Sequence, residues 1–165
     1  MANDDELKAL IGRKISKSRV IVERGAVANF AAAVCDEDDV YRDATVAESS
    51  GLPGVPAPPT FPFVMENWGK FPEIQPDDVP TEGGLGEVLA MLMRNGGLIL
   101  HGEQEFIYHR PVVVGDVLVG EGTVVDAYAK ESKGKTMTFV VTETVWRDAD
   151  GSPVVTSRFN VIHRS

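Results

Sequence analysis

From Leu98 onward the chain reads as strand after strand. The runs are LILHGEQEFIYHRPV, GDVLVGEGTVVDAYAKES, TMTFVVTETVW and VVTSRFNVIHR, the last two set off by the turns SKGK and RDADGSP. In TMTFVVTETV, Met137, Phe139, Val141 and Val145 fall on one face and Thr136, Thr138, Thr142 and Thr144 on the other, the pattern of a half-buried antiparallel strand. Asp150-Gly151 is a strong hairpin signal. Four long strands need an apolar element across their inner face, which predicts an α+β layer architecture. A single sheet of this kind also leaves an edge strand to cover, so dimerisation is expected.

The first half must supply the covering element. Asp4 and Asp5 can cap a short helix through Leu10. SRVIV, 18–22, reads as a short strand, and AVANFAAAVC, 26–35, as a helix with Ala, Val and Phe on its buried side. ATVAESSG is a short helix stopped by Gly51. GLPGVPAPPTFP then holds five prolines and an extended path. It feeds TFPFVMENW, where Thr60 can cap, Pro62 sits in a first turn, and Phe61, Val64, Met65 and Trp68 recur at helical spacing for a largely buried helix. KFPEIQPDDVPTEGG, 70–84, is a long polar loop, either a lid or a surface excursion. LGEVLAMLMRNGG is a helix ended by Asn95, Gly96 and Gly97.

The whole chain, 1–165, reads as one domain, a length that can bury a real core. Its net charge of −9 weighs against nucleic acid and anionic membrane surfaces as partners; a polyanionic ligand such as coenzyme A would need a local basic patch. One cysteine, Cys35, rules out an intrachain disulfide and fits a reducing compartment. Cys35 itself reads as a small buried residue closing an Ala-rich helix. The start lacks an apolar signal region, and no apolar run is long enough to span a bilayer, so a cytoplasmic location is expected.

FAAAVCDEDDVYRD, GLPGVPAPPTFPF and HGEQEFIYHRPVVVGDVLVGEG resemble the MaoC-like hot-dog proteins, in particular the fatty-acid-synthase-like dehydratase N-terminal type. The conjunction of YHRPVVVGDVL with APPTFPF carries the resemblance, which spans roughly residues 15–163. It implies a single hot-dog domain: an antiparallel sheet wrapped around a central helix, used in pairs. Active members are (R)-specific enoyl-thioester hydratases or 3-hydroxyacyl-thioester dehydratases, acting on acyl groups carried by coenzyme A or acyl carrier protein, with no cofactor and no metal.

Such chemistry needs a base and acid to handle water and the α-carbon proton, and donors for an enolate-like thioester oxygen. The resemblance implies an aspartate and, five residues on, a histidine for the first task, and a glycine amide at the start of the central helix for much of the second. Asp36 stands at the aspartate position. Tyr41 stands at the histidine position, and a phenol of pKa about 10 is a poor base near neutrality. The histidine-glycine pair falls near Pro58 and Pro59, which have no N–H; the Thr60 or Phe61 amide is the alternative donor. The rest of the acidic run, Glu37, Asp38, Asp39 and Asp43, reads as solvated surface. It lacks the spacing of a calcium loop, and Asp148 with Asp150 reads as a hairpin turn.

Among other candidates, His101 with Glu103 is a conceivable replacement base or a polar pair at a sheet edge. Regular alternation would place both on one face with Glu105, Ile107 and His109. His163 is expected at the surface. Arg110, Lys133 and Lys135 could meet phosphates, or simply be solvated. The expected role is that of a substrate-tail-binding subunit, with Thr60, Phe61, Phe63, Val64, Trp68 and His101 at the pocket and a catalytic hot-dog partner. A self-sufficient homodimeric hydratase using Asp36 with Tyr41 or His101, and a non-catalytic acyl-thioester binding protein, are the alternatives.

Overall fold

The computed structural model describes residues 4–80, 84–132 and 134–164. Strands β1 (Lys14–Ile21), β2 (Leu98–Tyr108), β3 (Val117–Ser132), β4 (Lys135–Arg147) and β5 (Pro153–Arg164) form one antiparallel sheet in the order β1-β3-β4-β5-β2. All four C-terminal strands are where alternation predicts them, and SRVIV lies within the longer β1 and its exit. The SKGK turn includes Lys133, which lies outside the described residues, as do residues 81–83 of the polar loop.

Among the described residues, five short helices accompany the sheet: α1 (Asp4–Lys8), α2 (Arg24–Ala33), α3 (Ala44–Ser49), α4 (Met65–Gly69) and α5 (Leu85–Leu92). The predicted TFPFVMENW helix is broken in two. A 3-10 turn over Phe61–Phe63 precedes α4, and Thr60, at φ −106 and ψ 0, makes no side-chain cap. Pro62 withholds an N–H, and Val64 at φ −113 departs from helical values between the pieces. Phe61 and Met65 are buried to 1%, yet Trp68 is 41% exposed, its ring lying against Phe30 and Phe61 rather than within the core.

The inner face of β4 is the threonine face, contrary to the hydrophobicity of its residues. Thr138, Val140, Thr142 and Trp146 are buried, whereas Met137, Phe139, Val141 and Val145 are half-buried on the other side. Trp146 decides this register: its ring packs over Gly120 of β3, where a Cβ would come within 2.7 Å of it. Two core clusters result. Val20, Val27, Phe61, Met65, Leu118 and Trp146 belong to one, beneath α2 and α4. Leu7, Leu10, Val88, Leu92, Val140 and Val161 belong to the other, beneath α1 and α5.

The two edges of the sheet differ. On β1, the Gln75 side chain accepts from the Arg19 N–H (3.1 Å) and donates to the Arg19 carbonyl (2.9 Å), as a neighbouring strand would. Lys17 binds Asp78 at 2.6 Å and Glu121 at 3.1 Å, tying the same loop down. The described part of the polar loop is therefore a strap over the β1 edge. On β2, Leu98, Leu100, Ile107 and Tyr108 are exposed along a strand whose second edge carries no partner strand among the described residues.

The RPVVVGD motif is a structural lock. Arg110 donates to both Asp116 oxygens at 2.8 and 3.0 Å, Asp116 accepts from the Val113 N–H at 2.9 Å, and Asp148 lies 3.5 Å from the guanidinium. These contacts hold Arg110 more firmly protonated than usual, the Asp116 hydrogen bond foremost, and take it out of consideration as a phosphate ligand. His163 is 5% exposed, not at the surface, and its ring meets the Gly96 carbonyl at 2.8 Å. Gly97, at φ 106, leaves room for that ring.

Candidate functional site

The acidic run folds upon itself. Helix α2 ends in a Schellman motif: the Cys35 N–H donates to the Ala32 carbonyl and the Asp36 N–H to the Ala31 carbonyl. Cys35 takes the left-handed position usually given to glycine, at φ 58, with its side chain exposed rather than buried. Asp36 thus emerges just past the helix. Its carboxylate accepts from the Asp38 N–H, and Asp38 in turn accepts from the Val40 N–H to cap the 3-10 turn Asp39–Tyr41. Asp43 caps α3 through the Thr45 and Val46 amides. So Asp38 and Asp43 shape the backbone, while Glu37 and Asp39 face solvent.

The turn returns Tyr41 to Asp36. Partial burial raises the Tyr41 phenol above its ordinary pKa, and the negative charge of the adjacent Asp36 carboxylate, which accepts a hydrogen bond from the phenol, raises it further. The Tyr108 phenol is pushed up to about 12, mainly by desolvation and then by Tyr41. Its hydroxyl donates to the Pro59 carbonyl at 2.8 Å. Asp36, Tyr41, Tyr108 and the proline turn thus form one constellation; Tyr108 was not picked out by sequence, because its role depends on a contact between β2 and a segment 49 residues away.

Both phenols are protonated at neutral pH, able to donate and unable to act as bases. At the proline turn, the Phe61 amide is used internally on the Pro58 carbonyl at 2.9 Å, and the Phe63 amide on the Thr60 carbonyl. The exposed Thr60 amide makes no hydrogen bond among the described residues.

His101 lies elsewhere on the inner face, between Phe63 and Phe159, with ring centroids 5.2 and 4.5 Å away. A bulge between His101 and Gln104 breaks the alternation that would have aligned it with Glu103. Glu103 turns instead to the Asn160 amide at 3.3 Å. His109 meets the Thr156 hydroxyl at 3.1 Å. With His163 on Gly96, all three histidines of the chain are engaged away from Asp36.

A cavity of about 260 Å³ lies between the two core clusters, lined by Phe63, Pro62, Leu85, Phe159, Thr142 and Ser157 among others. Of the candidate pocket residues, Phe63 lines it and His101 packs beside it, while Phe61 and Val64 belong to the neighbouring core and Thr60 and Trp68 stay outside. A second concavity, about 630 Å³, lies on the opposite face of the sheet; Glu103 lines it, but none of the candidate pocket residues does. Among the described residues, no cluster of His, Cys, Asp and Glu is arranged to hold a metal, and no helix is long and apolar enough to cross a membrane.

A long antiparallel sheet packed over a short buried helix defines a hot-dog protein of the MaoC-like dehydratase class. The chain belongs to the family described as "FAS1-like, dehydratase domain region", whose model matches residues 9–157. It is 32% identical to a UPF0336 protein of Thermobifida fusca over 107 residues, a match spanning 64% of this chain and 60% of that protein. Among solved structures, it is similar to the HadBC (3R-hydroxyacyl-ACP dehydratase) complex of Mycobacterium tuberculosis, with a TM-score of 0.68, 20% identity, and coverage of 93% of this chain and 96% of that one. The ChsH1-ChsH2 complex of the same organism gives a TM-score of 0.71, 21% identity, and coverage of 96% and 86%.

Proposed function

We propose that this chain is the substrate-tail-binding half of an (R)-specific enoyl-thioester hydratase or 3-hydroxyacyl-thioester dehydratase. A hot-dog partner carrying both the aspartate and the histidine performs the chemistry. One observation carries the reading: Asp36 has a tyrosine where active relatives hold a histidine, and every histidine of the chain is committed elsewhere. Water addition at neutral pH needs a base of suitable pKa, and a phenol raised above its ordinary value moves away from that range.

Two further features support a divided enzyme. The cavity beside Phe63 adjoins the uncovered β2 edge, so a partner strand would help close it. Two of the similar solved structures are complexes by name, one of them a 3R-hydroxyacyl-ACP dehydratase. In this reading the acyl tail enters beside Phe63 and Phe159. At about 260 Å³ the cavity is smaller than the range of about 300–1,000 Å³ usual for small-molecule sites, so it takes a segment of the tail. The carrier is a thioester of coenzyme A or of an acyl carrier protein.

The test is hydration of crotonyl-CoA and longer enoyl-CoA by the purified chain, alone and with candidate hot-dog partners. Alone, the chain is expected to stay at background, and the complex to turn over. Turnover near one per second by the lone protein, abolished by Asp36→Asn, would overturn the reading and make Asp36 a working catalytic carboxylate.

A further inference from the structure

The open β2 edge carries a charge pattern that decides which partner it accepts. Glu103 and Glu105 both line the outer-face groove beside the strand's midpoint. Asp126 joins them, and Arg158 is the single basic residue of that lining. Arg158 is already shared, 2.8 Å from Glu143 and 3.6 Å from Glu105. Beneath Glu103, the Asn160 Oδ1 atom is buried and receives no hydrogen bond among the described residues. The patch is thus rich in acceptors and short of donors.

Two copies of this chain could pair their β2 edges about a twofold axis. A register that brings the strand midpoints together puts the axis close to Glu103 and Glu105. Glu103, Glu105 and their two symmetry mates then converge on one face within a few residues of the axis. Directly opposite side chains in an antiparallel pair sit about 4.5–5.5 Å apart and diagonal ones about 7–8 Å, and like charges at such separations oppose pairing. Inserting charge into an edge is a general means of blocking self-association.

We propose that Glu103 and Glu105 direct the β2 edge away from a second copy of this chain and toward a partner strand bearing lysine or arginine opposite them. The inference rests on the two-subunit reading above and adds what selects the partner. Basic side chains bring donors without acceptors, which is what this patch lacks.

Sedimentation equilibrium on the full chain tests it, with Glu103→Gln/Glu105→Gln and Glu103→Lys/Glu105→Lys variants checked for native circular dichroism. At low salt the glutamine variant is expected to self-associate at least tenfold more tightly than wild type. The difference should collapse near 1 M NaCl, where the screening length falls to about 3 Å. The lysine variant mixed with wild type should form a one-to-one heterodimer tighter than either homodimer, seen by native mass spectrometry with one chain tagged. Tightening of the unmodified chain's self-association by salt needs no variant and is the fallback if a variant misfolds. A wild-type dimer that is tight at low salt and indifferent to both neutralisation and salt would overturn the proposal. That outcome is separate from the enzyme reading, which stands or falls on turnover by the lone chain.

Discussion

Tyr108 shows how a single side chain joins the strand edge to the proline turn. Its hydroxyl holds the Pro59 carbonyl, and Tyr108→Phe removes that bond while keeping the ring. The expected cost is about 1 kcal/mol, or a fall of about 2–4 °C in melting temperature for a chain of this size. Its titration adds a pH signature. The folded pKa, about 12, lies above the ordinary value near 10, so the fold favours the protonated phenol. That stabilisation is complete below about pH 10 and is lost as pH rises through 12. Because Tyr108 is 39% exposed, the effect is smaller than the shift alone implies. Thermal melts between pH 9 and 12 should fall more steeply for wild type than for Tyr108→Phe; equal slopes would refute the assignment.

At the scale of elements, the main surprise is the strap over β1. A loop of polar residues reads as a lid or a surface excursion because nothing in its own sequence says that Gln75 will stand in for a strand. Gln75→Ala leaves the Arg19 N–H and carbonyl without their partners. Partly buried backbone groups left unpaired cost about 1–3 kcal/mol, and urea denaturation should report a loss in that range. Since the substitution also uncovers a second edge, it should raise the tendency to aggregate on heating. A loss under about 0.3 kcal/mol would mean that water replaces the glutamine without cost, within the scatter of ordinary surface substitutions.

For the whole molecule, Phe61 and Phe63 separate stability from specificity although only Pro62 lies between them and the same turn holds both. Phe61 is 1% exposed and sits in the first core cluster; Phe63 is 54% exposed and lines the inner cavity. Phe61→Ala should cost about 3–5 kcal/mol as a core truncation. Phe63→Ala should leave the melting temperature of the lone chain nearly unchanged but shift the acyl-chain preference of the assembled enzyme, each methylene being worth about 1–3 kcal/mol of discrimination. Competition between short and long enoyl-CoA substrates measures the shift. An unchanged preference would place the tail elsewhere.

Much of this architecture was legible in the residues themselves. The strands from Leu98 onward and the break at Gly51 are properties of local pattern, and period-two alternation survives wherever one strand packs as a unit. What a strand buries is another matter. The threonine face of β4 turned inward because Trp146 needed the space above Gly120, and the bulge in β2 set Glu103 apart from His101. His163 was buried by a carbonyl far along the chain, Cys35 was exposed by the demands of a helix end, and Arg110 was spent on Asp116 by the turn between β2 and β3. Each of these depends on which segments meet, and meeting is decided by packing volume and hydrogen-bond geometry between residues that the sequence separates. The composition of each segment determined what it could become; only the assembled sheet decided which face, which edge and which carboxylates the molecule would present.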